Sequence, residues 1–144
     1  MAELIEQDEK SKMPLFNGVL LAVTPVQGNI TSRFGVVSSI ESGAHTGTDI
    51  CCSIGTKIRA VSSGTVTFAQ MNGAYGNLIK ISHGNGVETW YAHCKELYAT
   101  VGQQIKAGDV IAAVGMTGNT TGPHLHLEIR VNGTAINPQN YLYK

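Results

Sequence analysis

The chain has 144 residues, ten Lys and Arg against ten Asp and Glu, a formal net charge of zero and 42% hydrophobic residues, enough for one domain around one core and too few for two. Charged residues make up only 14% and glycines number 17, which argues against disorder, since disorder needs charge, and against a helical bundle, since glycine weakens helices. No summed positive field exists to neutralise phosphates or hold an anionic membrane, so nucleic-acid binding is not expected.

Residues 1–13 are polar and charged without apolar period and read as a flexible leader or linker, leaving 14–144 as the folded domain. The opening Met1-Ala2-Glu3-Leu4-Ile5-Glu6 lacks the basic region of a secretory signal, and the apolar run Val19-Leu20-Leu21-Ala22-Val23 is far short of the ~20 residues that span a bilayer. Neither an export signal nor a transmembrane segment is expected. From Leu15 onward the chain is rich in Val, Ile and Thr, 37 of 144 residues in all, punctuated by glycine; that is the pattern of short strands and turns. Ile54-Gly55-Thr56-Lys57-Ile58-Arg59-Ala60 is echoed by Val101-Gly102-Gln103-Gln104-Ile105-Lys106-Ala107, either as two similar β-turns or as a duplicated half-barrel or sandwich motif. Strands are predicted at Thr65 to Ala69, at Leu78 to Ser82 and Val87 to His93 as a hairpin across Gly84-Asn85-Gly86, at Asp109 to Val114 and at His124 to Val131. Helix is confined to a turn around Lys95 to Tyr98. The expected fold is all-β, a single compact domain with an antiparallel β-sheet core of sandwich or half-barrel type. Cys51, Cys52 and Cys94 are odd in number and include a vicinal pair that bridges poorly, so they are expected to be small buried hydrophobes rather than a disulfide framework.

Side chains two apart on a strand share a face, so in His124-Leu125-His126-Leu127-Glu128-Ile129-Arg130-Val131 the two imidazoles point the same way, while Leu125, Leu127, Ile129 and Val131 form an apolar stripe for the core. Burial of that stripe fixes the register and with it the place of the histidines. His45-Thr46-Gly47-Thr48-Asp49 sets an imidazole and a carboxylate four residues apart. Zinc accepts both donor types, and a catalytic site takes three protein ligands and a water, which His45, Asp49 and one histidine of the later strand would complete. Trp90-Tyr91-Ala92-His93 adds another imidazole at a strand end. Taken singly, each of these is an ordinary polar strand face, capped turn or hydrogen-bonded core histidine. Neither His-Glu-x-x-His nor Cys-x-x-Cys occurs, so helical zinc-peptidase and zinc-ribbon readings both fail.

In order and spacing, His45-x-x-x-Asp49, Tyr91-Ala92-His93 and Gly122-Pro123-His124-Leu125-His126-Leu127-Glu128 resemble the three motifs of the lysostaphin and LytM type zinc endopeptidases, which cut bacterial peptidoglycan. Ile30-Thr31-Ser32-Arg33-Phe34-Gly35, the Gly55 to Val66 stretch and Asn137-Pro138 before Tyr141-Leu142 agree as well, so the resemblance covers about residues 24–143. It implies one Zn²⁺ held by His45, Asp49 and His126, and a catalytic pair His93 and His124, with the roles of base and oxyanion partner open between the two. It also implies a loop-walled active-site groove over the sheet, a peptidoglycan substrate, and action in the cell wall or periplasm, reached through a larger parent protein, a phage tail or lysis, or a secretion assembly. The alternative is a catalytically inactive domain of this type that binds wall or regulates a partner. His83 matches a His-Gly turn common in the family and is expected to be structural, and Arg33 is a candidate for lining the groove. The three cysteines stand where small residues, proline or leucine are expected. A biotinyl or lipoyl carrier lacks the methionine-flanked lysine at a hairpin tip.

Overall fold

The structure is a computed structural model that describes residues 15–16, 19–21, 23–32, 35, 46–118 and 120–137. The expectations for residues 1–13, Arg33, His45, Pro138, Tyr141 and Leu142 lie outside these. Among the described residues twelve strands follow in order: β1 (Leu15–Phe16), β2 (Val19–Leu20), β3 (Asn29–Ser32), β4 (Thr48–Cys51), β5 (Lys57–Arg59), β6 (Gly64–Met71), β7 (Asn77–Gly84), β8 (Val87–Leu97), β9 (Gln104–Ile105), β10 (Val110–Val114), β11 (His124–Val131) and β12 (Thr134–Ile136), with a 3₁₀ turn Gly73–Tyr75 between β6 and β7. β1 and β2 form a ribbon of their own; the main sheet is antiparallel in the order β3-β4-β11-β8-β7-β6-β9, with β10 against β8 and β5, and β12 against β11.

The alternation of the sequence decides which face is buried. Ile50, Val66, Ile79, Ile81, Val87, Tyr91, Leu125, Leu127 and Ile129 lie on the core face with essentially no exposure, while Val131 packs against them from the margin. Each such side chain contributes about 1.5–3 kcal/mol by leaving water, so a one-residue slip of β11, which would exchange this row for the histidine row, is strongly disfavoured.

The predicted hairpin is present, with Gly84 opposite Val87 across Asn85-Gly86, both at positive φ (53° and 76°). That is the pattern of a type I′ turn, whose twist matches the strands it joins. Asn132-Gly133 repeats it (φ 51° and 86°), turning β11 into β12, a hairpin that the sequence reading did not include although the Asn-Gly signal was there. β6 and β8 run longer than predicted. Lys95 to Leu97 is the end of β8 rather than a helical turn; pairing with β10 supplies backbone partners that the local sequence could not reveal.

The echoed segments occupy equivalent places in the fold. Gly55 and Gly102 both turn at φ near 90° (93° and 91°), and Ile58 and Ile105 are both buried. Gly55 N donates to Val114 O and Val114 N to Thr56 O, whereas Gly102 N donates to Val66 O and Val66 N to Gln103 O. Each turn therefore clasps the strand that follows the other turn. The cysteines are all free. Cys52 and Cys94 are buried in the core as expected, but Cys51 is exposed, because it follows Asp49 by two on β4 and shares the open face.

Candidate metal and catalytic site

β4, β11 and β8 are neighbours in the sheet, with His124 opposite Cys51 and His126 opposite both Asp49 and Ala92. Residues directly opposite share a face, so register alone sets Asp49, His124 and His126 on one side of the sheet, away from the core. Gly47 allows β4 to approach: it is buried, and a Cβ there would collide with the Leu127 carbonyl and come within 2.9 Å of Glu128 Cγ. Ala92, opposite His126, leaves room for the rings.

His93 reaches this face by a different device. Strict alternation after Tyr91 (core) and Ala92 (site) would return His93 to the core. Instead Tyr91 pairs with Ile79 and Cys94 with Asn77, three steps on β8 against two on β7, which is a β-bulge with one extra residue on β8. His93 takes φ +62°, a left-handed conformation costly for a residue with a Cβ. As a result Cys94 enters the core with no exposure and the His93 ring lies 4.8 Å from that of His124 and 5.9 Å from that of His126, centre to centre.

Hydrogen bonds orient each ring. His93 Nδ1 donates to Thr117 O at 2.7 Å and His124 Nδ1 to Gly122 O at 2.9 Å; a carbonyl only accepts, so in the neutral form both rings carry the proton on Nδ1 and keep the lone pair on Nε2. His124 Nε2 lies 3.5 Å from Asp49 Oδ1. His126 is held on both sides, Nδ1 at 2.8 Å from Asp49 Oδ1 and Nε2 at 2.8 Å from Glu128 Oε2. Burial alone would pull its proton affinity down, but the bonds to Asp49 and Glu128 outweigh burial and hold the imidazole up at about 9. Burial likewise favours the neutral form of Glu128, but His126, followed by Tyr75 and Thr46, brings its carboxyl down to about 2. His93 is the reverse case: burial pulls it down to about 4, reinforced by the neighbouring His124 and His126, so it is neutral at pH 7.

Of the five residues read from the sequence as the site, the structure brings Asp49, His93, His124 and His126 together; His45 lies outside the described residues. Asp49 Oδ1 and His126 Nδ1 face each other as carboxylate oxygen and imidazole nitrogen, the donor types zinc takes. No group of three or more such side chains among the described residues is assembled to hold a metal ion, so the described part supplies two of the three expected ligands. The sequence reading missed Glu128, Thr46 and Tyr75, whose hydroxyls donate to Glu128 Oε2 at 2.8 and 2.7 Å; for Glu128 the signal was its spacing of two from His126.

The open face continues along the cross-strand row Glu128, Trp90, Lys80, Phe68. Lys80 Nζ lies 3.8 Å and Arg130 Cζ 4.3 Å from the Trp90 ring centre, and Tyr75 meets Trp90 edge-on at 5.7 Å. The 3₁₀ turn and the segment from Met116 to Gly118 pack together beside the histidines, Asn77 N donating to Thr117 Oγ1 at 3.0 Å and Gly118 lying against Gly76 and Ala74. His83 takes no part. Its Nδ1 donates to Ser63 O and its Nε2 accepts from Thr89 Oγ1, both at 2.8 Å, as expected for a structural histidine.

Comparison with known proteins agrees with the motifs. A curated relative, DD-carboxypeptidase/endopeptidase Mpg of Neisseria meningitidis, is 48% identical over 94 residues, 65% of this chain and 22% of the relative. Murein hydrolase activator EnvC of Escherichia coli is 34% identical over 140 residues, 94% of this chain and 33% of the relative. The chain thus spans a fifth to a third of the length of these relatives. Among solved structures, a zinc-containing peptidase from Vibrio cholerae superposes with TM-score 0.74 at 32% identity, covering 78% of this chain and 37% of that one. The catalytic domain of the antimicrobial peptidase lysostaphin from Staphylococcus simulans does so with TM-score 0.76 at 33% identity, covering 81% and 93%. The family model of peptidase family M23 matches residues 43–138, and the chain belongs to that family.

Proposed function

We propose that this domain is a zinc-dependent endopeptidase acting on the peptide cross-links or stem peptides of bacterial peptidoglycan. The observation that carries the reading is the convergence on one sheet face of Asp49, His126, His124 and His93, with Asp49 Oδ1 2.8 Å from His126 Nδ1 and 3.5 Å from His124 Nε2. His45, Asp49 and His126 hold the zinc in this reading; when bound, the ion supplies a polarised carbonyl and an activated water. The chain's own residues do the rest. His93 and His124, each with its Nδ1 proton committed to a backbone carbonyl, present Nε2 to the reacting centre, one in the neutral form to take and return a proton and the other, when it carries a second proton on Nε2, to donate to the developing oxyanion. The names of a further relative, peptidoglycan DD-endopeptidase ShyC of Vibrio cholerae, 41% identical over 96 residues, and of the zinc-containing Vibrio peptidase support peptidoglycan as substrate and zinc as the metal. Action in the cell wall or periplasm follows from that substrate, and the coverage of only 22% of Mpg supports a longer parent protein.

The test is metal content together with product analysis. The purified protein is expected to hold one zinc per chain and to release new amino termini from peptidoglycan, with His126→Ala losing both. Zinc-free protein, or His126→Ala with full activity, sinks the reading. The similarity to EnvC, named a murein hydrolase activator, favours as second reading a domain that binds and regulates without cutting. Zinc-loaded protein that releases no amino termini from any peptidoglycan type, yet stimulates a separate wall hydrolase, would establish it.

A further inference from the structure

We infer that Glu128 is the positioning residue of the metal site, a single buried carboxylate that fixes the tautomer of His126 and ties Thr46, at the entry to the strand carrying Asp49, to the strand carrying His126. The inference rests on the zinc reading above. Glu128 has no exposure, and its two oxygens divide the work. Oε1 accepts from the Arg130 guanidinium, Nε at 2.7 Å and Nη2 at 2.5 Å. Oε2 accepts from Thr46 Oγ1 at 2.8 Å, Tyr75 Oη at 2.7 Å and His126 Nε2 at 2.8 Å. Five donors saturate a carboxylate, which offers about four lone-pair positions.

Two consequences follow for the metal site. An ionised carboxylate only accepts, so its bond to His126 requires the proton to sit on Nε2, and this leaves Nδ1, the nitrogen that faces Asp49, as the one able to hold a metal. The same oxygen holds the hydroxyl of Thr46, three residues before Asp49 in the chain, so the segments carrying Asp49 and His126 are referred to one atom. Tyr75 completes the cradle from the 3₁₀ turn, its ring 5.8 Å from that of His126. Outer partners of this kind typically govern metal affinity by 10–100-fold.

The experiment is zinc affinity by competition with a chromophoric chelator for wild type, Glu128→Gln, Thr46→Val and Arg130→Met, with metal-free melting temperature and circular dichroism recorded alongside and the His126 ring-nitrogen shifts followed by NMR. Glu128→Gln is expected to weaken zinc by about 10–100-fold and to disturb the Nε2–H signal. Thr46→Val should weaken zinc to a lesser degree while leaving the His126 tautomer intact. Arg130→Met, which removes the donors to Oε1 and only a long 3.5 Å bond to the Tyr75 hydroxyl on the Oε2 side, should lower the melting temperature with a much smaller change in zinc affinity. Unchanged zinc affinity in Glu128→Gln, or a loss matched by Arg130→Met, overturns the inference; should Glu128→Gln fail to fold, unchanged affinity in both Thr46→Val and Tyr75→Phe overturns it. A wild-type chain that takes up no zinc at all defeats the metal reading itself, a result distinct from equal affinities in wild type and variants.

Discussion

Two histidines of the same sheet are bonded at both ring nitrogens and yet are opposite in kind. His83, on β7, stands in a one-way chain of neutral groups: Val61 N donates to Tyr91 Oη at 3.1 Å, Tyr91 Oη and Thr89 Oγ1 are 2.7 Å apart, Thr89 Oγ1 reaches His83 Nε2, and His83 Nδ1 donates to Ser63 O. Read from the Val61 amide, every donor in that chain finds an acceptor only if the imidazole is neutral, and burial accordingly lowers its proton affinity. His126 is flanked by two carboxylates and is held up at about 9. A chain of neutral dipoles makes a strut, whereas two anions around an imidazole make a place where positive charge is welcome, whether a proton or a metal ion brings it.

The largest effect that would break this comparison is on catalysis. His93→Asn keeps a residue type that tolerates positive φ and removes the imidazole. Turnover is expected to fall by about 10²–10⁴-fold, the usual contribution of a proton-transferring group, with zinc content unchanged. His83→Asn should leave turnover per folded molecule unaltered. Rates of amino-terminus release, normalised to folded protein, check both, and a His83 variant as inactive as the His93 variant would erase the distinction.

Stability sorts the two histidines the other way. Thr89→Val leaves His83 Nε2 and Tyr91 Oη without their shared partner in a buried place and should cost about 1–3 kcal/mol, read from urea unfolding, with zinc binding untouched. Their dependence on pH has opposite signs. His83 and His93 have folded-state proton affinities below the ordinary 6.5, His93 at about 4, so their share of stability is present above pH 6.5 and is lost as pH falls below it, that of His93 toward pH 4. His126, raised to about 9, contributes fully below pH 6.5 and loses its share as pH rises through 9. Metal-free protein should therefore be most stable near pH 6.5. In thermal melts across pH, His83→Asn should flatten the acid side and Asp49→Asn the stretch from 6.5 to 9; an alkaline side unchanged by Asp49→Asn would refute the assignment.

What the sequence made legible follows from period two. The alternation that placed Leu125, Leu127 and Ile129 inside also placed His124 and His126 together outside, and the structure agrees on all five. The same alternation put Glu128 beside His126, but a carboxylate on a polar face looks solvated until its partners are known, and Thr46 and Tyr75 lie 82 and 53 residues away in the chain. Pairing that distant leaves no local trace. His93 shows a second limit: its motif was readable, but the bulge that aims it is a break in the period, and the reading of Lys95 to Tyr98 as a turn failed at the same irregular strand end.

The smallest effect isolates that break. In a regular strand, glycine is the weaker choice, about 0.5–1 kcal/mol below alanine, because it has more freedom to lose. At position 93 the backbone stands at φ +62°, where a Cβ costs roughly 1–2 kcal/mol and glycine nothing. Both His93→Gly and His93→Ala discard the same ring contacts and the same bond to Thr117 O, so their difference reports the backbone alone. His93→Gly should be the more stable of the pair by about 1 kcal/mol in urea unfolding, reversing the usual strand order. Alanine equal to or better than glycine would mean that β8 regains its regular alternation once the imidazole is gone, and that the site face, through its bonds to the ring, bends the strand rather than the strand aiming the ring.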